Sequence, residues 1–150
     1  MYFDSILSNP PYNSDNSISP IYHKFIEKFE RSSKKQTWIV PGSFLYASNW
    51  GLSKKLRLNL CEMGLSRIKV NPLDTFTASV YTVTLYADGD KHDTIKYYSD
   101  TESLDVESLR FLTLGIYNSF DEKLWAIVDK LKKRRCFVGE KFINGVFNVK

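Results

Sequence analysis

The chain has 150 residues, 43% of them hydrophobic and 25% charged, which suits one globular domain, or a large piece of one, with a real core. Its formal charge of +4, from 21 basic and 17 acidic residues, permits a polyanionic partner without demanding one. No apolar run approaches the roughly 18 residues of a membrane span, the amino-terminal stretch contains Asp4 and no basic leader, and Cys61 and Cys136 stand far apart with only His23 and His92 as other soft ligands. These features argue against a membrane span, a secretory signal and a metal site, and predict free thiols in a reducing cytoplasm.

Residues 2–8 read as a short buried strand, with Phe3, Ile6 and Leu7 apolar and two prolines ending it. Ser19-Pro20 reads as a helix N-cap with proline in the first turn. Behind it Ile21, Tyr22, Phe25, Ile26 and Phe29 share one helical face, with Lys24, Lys28 and Glu30 off it. The polar run 31–36 ends that helix, and Thr37-Trp38-Ile39-Val40 is a second strand closed by Pro41-Gly42. A further helix covers part of 48–63, with Gly64 as its C-terminal cap. Strands follow near 66–70 and 79–87, and Asp88-Gly89-Asp90 marks a turn. Ser119-Phe120-Asp121-Glu122 has the form of a capping box opening a helix through about residue 133, with Leu124, Trp125, Ile127, Val128 and Leu131 apolar.

Strand, helix, strand, helix, strand predicts an α/β fold with a mostly parallel sheet and right-handed crossovers, flanking helices, a β-hairpin at 66–87 and a helical C-terminal region. Ligands in such sheets bind beyond the carboxyl ends of the strands, which is where Asn9-Pro10-Pro11-Tyr12 and residues 41–44 fall. Asn9 precedes a proline and is pushed toward extended backbone, while Pro10 and Pro11 carry no N–H. The stiff loop therefore presents acceptors, the Asn9 side-chain oxygen and the Pro10 carbonyl, beside the flat ring of Tyr12. Such a corner suits an amino group on a conjugated ring. Accepting its two N–H bonds draws the delocalised nitrogen toward tetrahedral geometry and frees its lone pair, and stacking on Tyr12 holds a base drawn out of a duplex.

The stretch FDSILSNPPY resembles the catalytic motif of the S-adenosylmethionine-dependent amino-methyltransferases, an Asn/Asp-Pro-Pro-Tyr/Phe loop after an Asp-containing strand. With IYHKFIEKF, WIVPGSFLYAS and FTASVYTVTLYAD behind it, the first 90 residues or so resemble the adenine-specific DNA methyltransferases of restriction-modification systems. The resemblance implies a partial Rossmann-like methyltransferase sheet, with residues 1–90 as a catalytic half. It also implies that Asn9 and the Pro10 carbonyl bind the target amino group, Pro11 stiffens the loop, Tyr12 stacks on the base, and Phe76 closes over the base's other face. Its cofactor would be S-adenosylmethionine and its partner DNA. Methyltransferases of a glutamine side-chain amide share the tetrapeptide, because an amide nitrogen poses the same delocalisation problem.

The departure from that pattern is equally informative. The seven glycines (42, 51, 64, 89, 115, 139 and 145) never form G-x-G, and no acidic strand end suited to a cofactor ribose precedes the proline loop. The sequence reads as the catalytic half without the cofactor half. Residues 91–150 read as an extension, the start of a target-recognition segment. In it Lys130, Lys132, Lys133, Arg134 and Arg135 form either a solvated basic helix end or a contact for nucleic-acid phosphates. Two classes of function stay open: a split or incomplete methyltransferase completed by a second chain that binds the cofactor, or a catalytically inactive remnant that binds nucleic acid or protein as a regulator of the antirestriction or decoy type, as in a phage.

Overall fold

A computed structural model describes residues 2–13, 20–46, 51–73, 75, 80–117 and 119–133. Strand β1 (Ser5–Ser8) leads through helix α1 (Tyr22–Phe29) to β2 (Lys35–Pro41), a 3-10 turn (Gly42–Leu45) and α2 (Gly51–Glu62). Next come β3 (Leu65–Val70), β4 (Thr82–Ala87), β5 (Thr94–Tyr98), β6 (Ser103–Glu107), α3 (Ser108–Leu114) and α4 (Glu122–Lys133). The strands form one six-stranded sheet in the order β1-β2-β4-β3-β5-β6.

The expected α/β sheet with flanking helices is present, but its direction is mixed. β1 runs parallel to β2 and β3 parallel to β5, whereas β4 is antiparallel to both β2 and β3, and β6 is antiparallel to β5. Only β4 and β6 point against the rest. The predicted hairpin at 66–87 exists as the β3–β4 ladder, and the sheet then continues past residue 90 through a second hairpin, β5–β6. Two predicted caps are corrected. The N-cap position of α1 is Ile21, with no side-chain cap bond, and Ser19 lies outside the described residues. At α4 the cap is Asp121, whose Oδ1 accepts the Lys123 and Leu124 N–H groups at 2.9 and 3.2 Å, while Ser119 Oγ accepts the Asp121 N–H.

Strand alternation divides the sheet into two unlike faces. One buries Trp38, Val40, Val83, Leu85, Ile68, Ile95, Tyr97 and Val106 against Ile26 of α1, Leu56 and Leu60 of α2, Phe111 of α3 and Trp125 and Val128 of α4. The Tyr97 ring stacks on Phe120, centroids 4.7 Å apart, and Arg110 lies over both Tyr117 and Trp125 while pairing with Asp129 at 3.1 Å. The opposite face carries Lys35, Thr37, Arg67, Lys69, Lys96, Asp105 and Glu107, all exposed or half-buried. Gly64 ends α2 at φ 79°, and a Cβ there would strike the backbone of Asp90. That conformation requires glycine.

The turn from α1 into β2 is held by one buried amide. Gln36 Nε2 faces the carbonyls of Phe29, Glu30 and Ser33 at 3.1, 3.0 and 2.7 Å, and its Oε1 accepts the Trp38 indole N–H at 3.0 Å. Ser33 Oγ accepts the Lys35 N–H at 3.1 Å and lies 3.2 Å from the Asp4 carbonyl, which ties β1 to the same turn. Replacing Gln36 by leucine takes this partner from the Trp38 indole N–H and from the Glu30 and Ser33 carbonyls, while the Phe29 carbonyl keeps the Ser32 N–H. The expected loss is about 3 kcal/mol at ~1–3 kcal/mol per orphaned group, read by urea denaturation, whereas exposed Lys35→Ala should stay within about 0.5 kcal/mol.

Candidate functional site

Because β1 and β2 run in register with Ser8 beside Trp38, Asn9–Tyr12 leave the sheet alongside the carboxyl end of β2. The reversed β4 brings Thr82 to the same edge, opposite Pro41, and β3 delivers Asn71 there. The Gly42 N–H donates to the Tyr81 carbonyl at 3.1 Å, and any side chain at position 42 would collide with the Tyr81 ring. Asn71 is bonded through both ends of its amide: its backbone N–H donates to the Thr82 carbonyl at 3.1 Å, its Nδ2 to Thr82 Oγ1 at 3.2 Å, and its Oδ1 accepts from Thr84 Oγ1 at 3.0 Å. The outgoing loop is pinned where the Tyr12 carbonyl accepts the Ile21 N–H at 3.0 Å and Asn13 bridges Pro20.

Within the tetrapeptide, Asn9 and Pro11 are exposed, Pro10 is buried and Tyr12 is half-buried. The Tyr12 hydroxyl is enclosed without a hydrogen-bond partner among the described residues, and burial pushes its pKa above the usual tyrosine value. Nearby on α1, burial pulls His23 below the usual histidine value, against the pull of Glu27 and helped by Lys24 and Lys55. Its Nδ1 is also enclosed and unpaired. Tyr22 packs against Phe44 with centroids 6.3 Å apart, which joins the start of α1 to the turn after β2. Arg57, 1% exposed, reaches from α2 to donate to the Phe44 carbonyl at 3.1 Å. Its Nε has no partner, and among the described residues no carboxylate pairs with it.

Tyr12 Oη, His23 Nδ1 and Arg57 Nε are thus enclosed without partners among the described residues. Native interiors leave few such atoms. These three belong to the segment that follows β1, or to α2 where it grips the turn after β2. Buried polar groups at the amino end of β2, Gln36 and Ser33, are satisfied. The enclosed atoms without partners therefore gather toward the carboxyl edge of β1 and β2, beside the bonded cluster of Asn71, Thr82 and Thr84.

Of the residues singled out in the sequence, Asn9, Pro10, Pro11 and Tyr12 stand together at this edge. Phe76 lies outside the described residues, as do Arg134, Arg135 and Cys136. Lys130 is exposed on α4, and Lys132 and Lys133 form its last turn. His23 and Arg57 went unmarked. Arg57 carried a signal, a cation set among Leu56, Leu60 and Cys61 on a helix, but a single cation beside an apolar stripe is commonplace. Cys61 is a free, half-buried thiol whose pKa burial raises to about 11, against the opposing pull of Arg57, so it is no nucleophile at neutral pH. No group of three His, Cys, Asp or Glu suited to a metal exists among the described residues, and no helix among them is long and apolar enough to cross a membrane.

No family model matches the sequence, and no curated protein matches it. Solved structures do. The chain resembles the M protein of the type I restriction enzyme EcoKI (18% identity, TM-score 0.52, 65% of this chain and 25% of that one). It also resembles the type IIG restriction endonuclease BpuSI (14% identity, TM-score 0.56, 78% and 18%). A third likeness is to the methyltransferase subunit of a type I restriction-modification system from Streptococcus thermophilus (16% identity, TM-score 0.50, 89% and 32%). The chain thus spans a third or less of the length of these proteins. The likeness is one of fold: the mixed sheet with flanking helices is that of restriction-modification methyltransferases.

An enclosed hydroxyl without a partner costs free energy. Tyr12→Phe should therefore stabilise the free protein by about 1 kcal/mol, a rise of roughly 3 °C in melting temperature for a chain of this size. A fall of similar size would show that the hydroxyl is bonded in solution.

Proposed function

We propose that this chain carries the target-base pocket of an S-adenosylmethionine-dependent DNA adenine amino-methyltransferase, with residues 1–90 as the catalytic half and 91–150 as an extension toward the target. The observation that carries the reading is the position of Asn9-Pro10-Pro11-Tyr12 directly after β1, in a fold shared with restriction-modification methyltransferases. The Tyr12 hydroxyl and His23 Nδ1, both enclosed and unpaired among the described residues, support the same reading.

The described residues do not fit the cofactor. Its ribose-bearing frame calls for a glycine-rich turn between a strand and a helix and an acidic residue at a strand end. The positive-φ glycines are instead Gly64 at the end of α2, Gly89 between β4 and β5, and Gly115 at the end of α3. The chain's own contribution is positional. The Asn9 side-chain oxygen and the Pro10 carbonyl accept the two N–H bonds of the adenine amino group, Tyr12 stacks on the base, and Phe76 covers its other face. Held so, the nitrogen is oriented and its lone pair freed, which lowers the entropic part of the barrier to attack. Lys130, Lys132, Lys133, Arg134 and Arg135 contact phosphates of the same DNA. A second chain that grips S-adenosylmethionine completes the enzyme. Without one, the pocket binds a base and does no chemistry, the regulator reading, which the missing glycine turn favours.

Calorimetric titration of the purified chain with S-adenosylmethionine should give no saturable micromolar binding. Losing the glycine-turn and ribose contacts removes several kcal/mol, and each ~1.4 kcal/mol is a factor of about ten. Micromolar binding would overturn the incomplete-enzyme reading. Mixing with the cofactor-binding chain should give methyl transfer that both Asn9→Ala and Tyr12→Ala abolish. Transfer surviving either substitution would remove the tetrapeptide from the mechanism.

A further inference from the structure

Among the described residues the helices pack on one face of the sheet, and the other face is organised around strands β4, β3 and β5. The registers set Tyr86, Arg67 and Lys96 side by side in one row, with Asp105 of β6 closing it. The next row places Lys69 beside Tyr98, with Ser103 of β6 beyond. A bulge between Leu65 and Arg67 brings the Arg67 side chain to this face. Neighbouring strands lie about 4.8 Å apart, so the cations and rings form a continuous chequered surface.

The side chains are held ready. The Arg67 guanidinium lies 4.6 Å from the centre of the Tyr86 ring, and Lys96 Nζ lies 5.9 Å from that of Tyr98. Lys69 pairs with Asp100 at 2.9 Å. Arg67 and Lys96 are exposed and make no ion pair among the described residues, while Tyr86 and Tyr98 are half-buried. Asp105 and Glu107 of β6 bound the patch on its acidic side, which confines a polyanion to β4, β3 and β5.

We propose that this open sheet face, carrying Arg67, Lys69, Lys96, Tyr86 and Tyr98, is a docking platform for single-stranded nucleic acid. It is separate from the Asn9–Tyr12 corner and does not depend on methyl transfer. The chemistry selects the occupant. Ring faces and arginine planes stack on unpaired bases of any sequence, and cations beside them take the phosphates. Protein interfaces also favour arginine and tyrosine but are depleted in lysine, so Lys69 and Lys96, with no aliphatic side chain among these positions, tip the face toward phosphates. Aliphatic groups on this face, Leu7 and Ile39, lie on β1 and β2 instead.

The test is fluorescence anisotropy with labelled oligothymidylate, which has no exocyclic amino group and so does not report on the Asn9–Tyr12 corner. The chain should bind it. The double variant Arg67→Ala, Lys96→Ala should keep its circular dichroism and melting temperature, bind at least about tenfold more weakly at low salt, and flatten the log–log salt slope by roughly 1.4, at ~0.7 for each single-strand phosphate no longer neutralised. Tyr86→Leu should weaken binding about tenfold through weaker stacking while moving the slope far less. Unchanged affinity and slope in the double variant would overturn the proposal. So would tighter binding of a duplex than of the single strand with the same loss in the variant. Self-association of the wild-type chain in sedimentation that the double variant abolishes would make the face a contact between copies, and would overturn it too.

Discussion

The fold hangs on the side-chain amide of Gln36. A buried primary amide has two donors and an acceptor to satisfy, and this one meets carbonyls from the end of α1 and the following turn, together with the Trp38 indole. It closes α1 without a glycine, fixes where β2 begins, and orients the largest side chain in the core. Through Ser33 the same turn reaches the Asp4 carbonyl, so β1 and β2 are set parallel and in register from their amino ends. With that end fixed, the position of everything leaving the carboxyl end follows, including Asn9–Tyr12 and the turn at Gly42–Leu45.

The two ends of β1 and β2 differ in their buried polar groups, although Asn71, Thr82 and Thr84 at the carboxyl edge are bonded to one another. At the amino end buried donors and acceptors meet inside the chain, and the result is rigidity. At the carboxyl end a tyrosine hydroxyl, a histidine nitrogen and an arginine Nε are enclosed without partners among the described residues. Desolvating such groups is unfavourable, so a fold retains them where a bound group can meet them or where function needs the atom. A rigid amino end and unsatisfied atoms at the carboxyl end suit the binding edge proposed above: the scaffold resists, and the edge gains from contact. Arg57 illustrates the point. Its charge is buried against one carbonyl, an arrangement that steadies the turn after β2 at some cost in stability.

Local patterns with tight stereochemistry were legible in the sequence. The Asn9–Tyr12 corner could be located because two prolines allow few backbone shapes, and Gly64 because a positive φ at a helix end favours glycine. Strands β2 and β4 stood out through Trp38, Ile39 and Val40 and through the run from Thr82 to Tyr86. Non-local features were not legible. Nothing within residues 82–87 states that β4 runs antiparallel between β2 and β3; that follows from the pairing of whole strands. β6, Ser-Leu-Asp-Val-Glu, hid because an acidic edge strand reads as a polar loop, although such charges guard an edge against pairing. At α4, Ser119 and Asp121 both offered a cap. Asp121 took the role because its carboxylate reaches two free N–H groups at once. The partnerless atoms at the site are a property of packing and leave no trace in composition.

The central claim is that the carboxyl edge of β1 holds the amino group of a conjugated base. Nuclear magnetic resonance titration of the isotope-labelled chain with 9-methyladenine tests it directly, because it needs neither cofactor nor recognition sequence. The account predicts saturable shifts of the Asn9 side-chain amide and the Tyr12 ring signals, absent with 9-methylpurine, which lacks the amino group. Shifts confined to other residues, or equal shifts with both ligands, would contradict it.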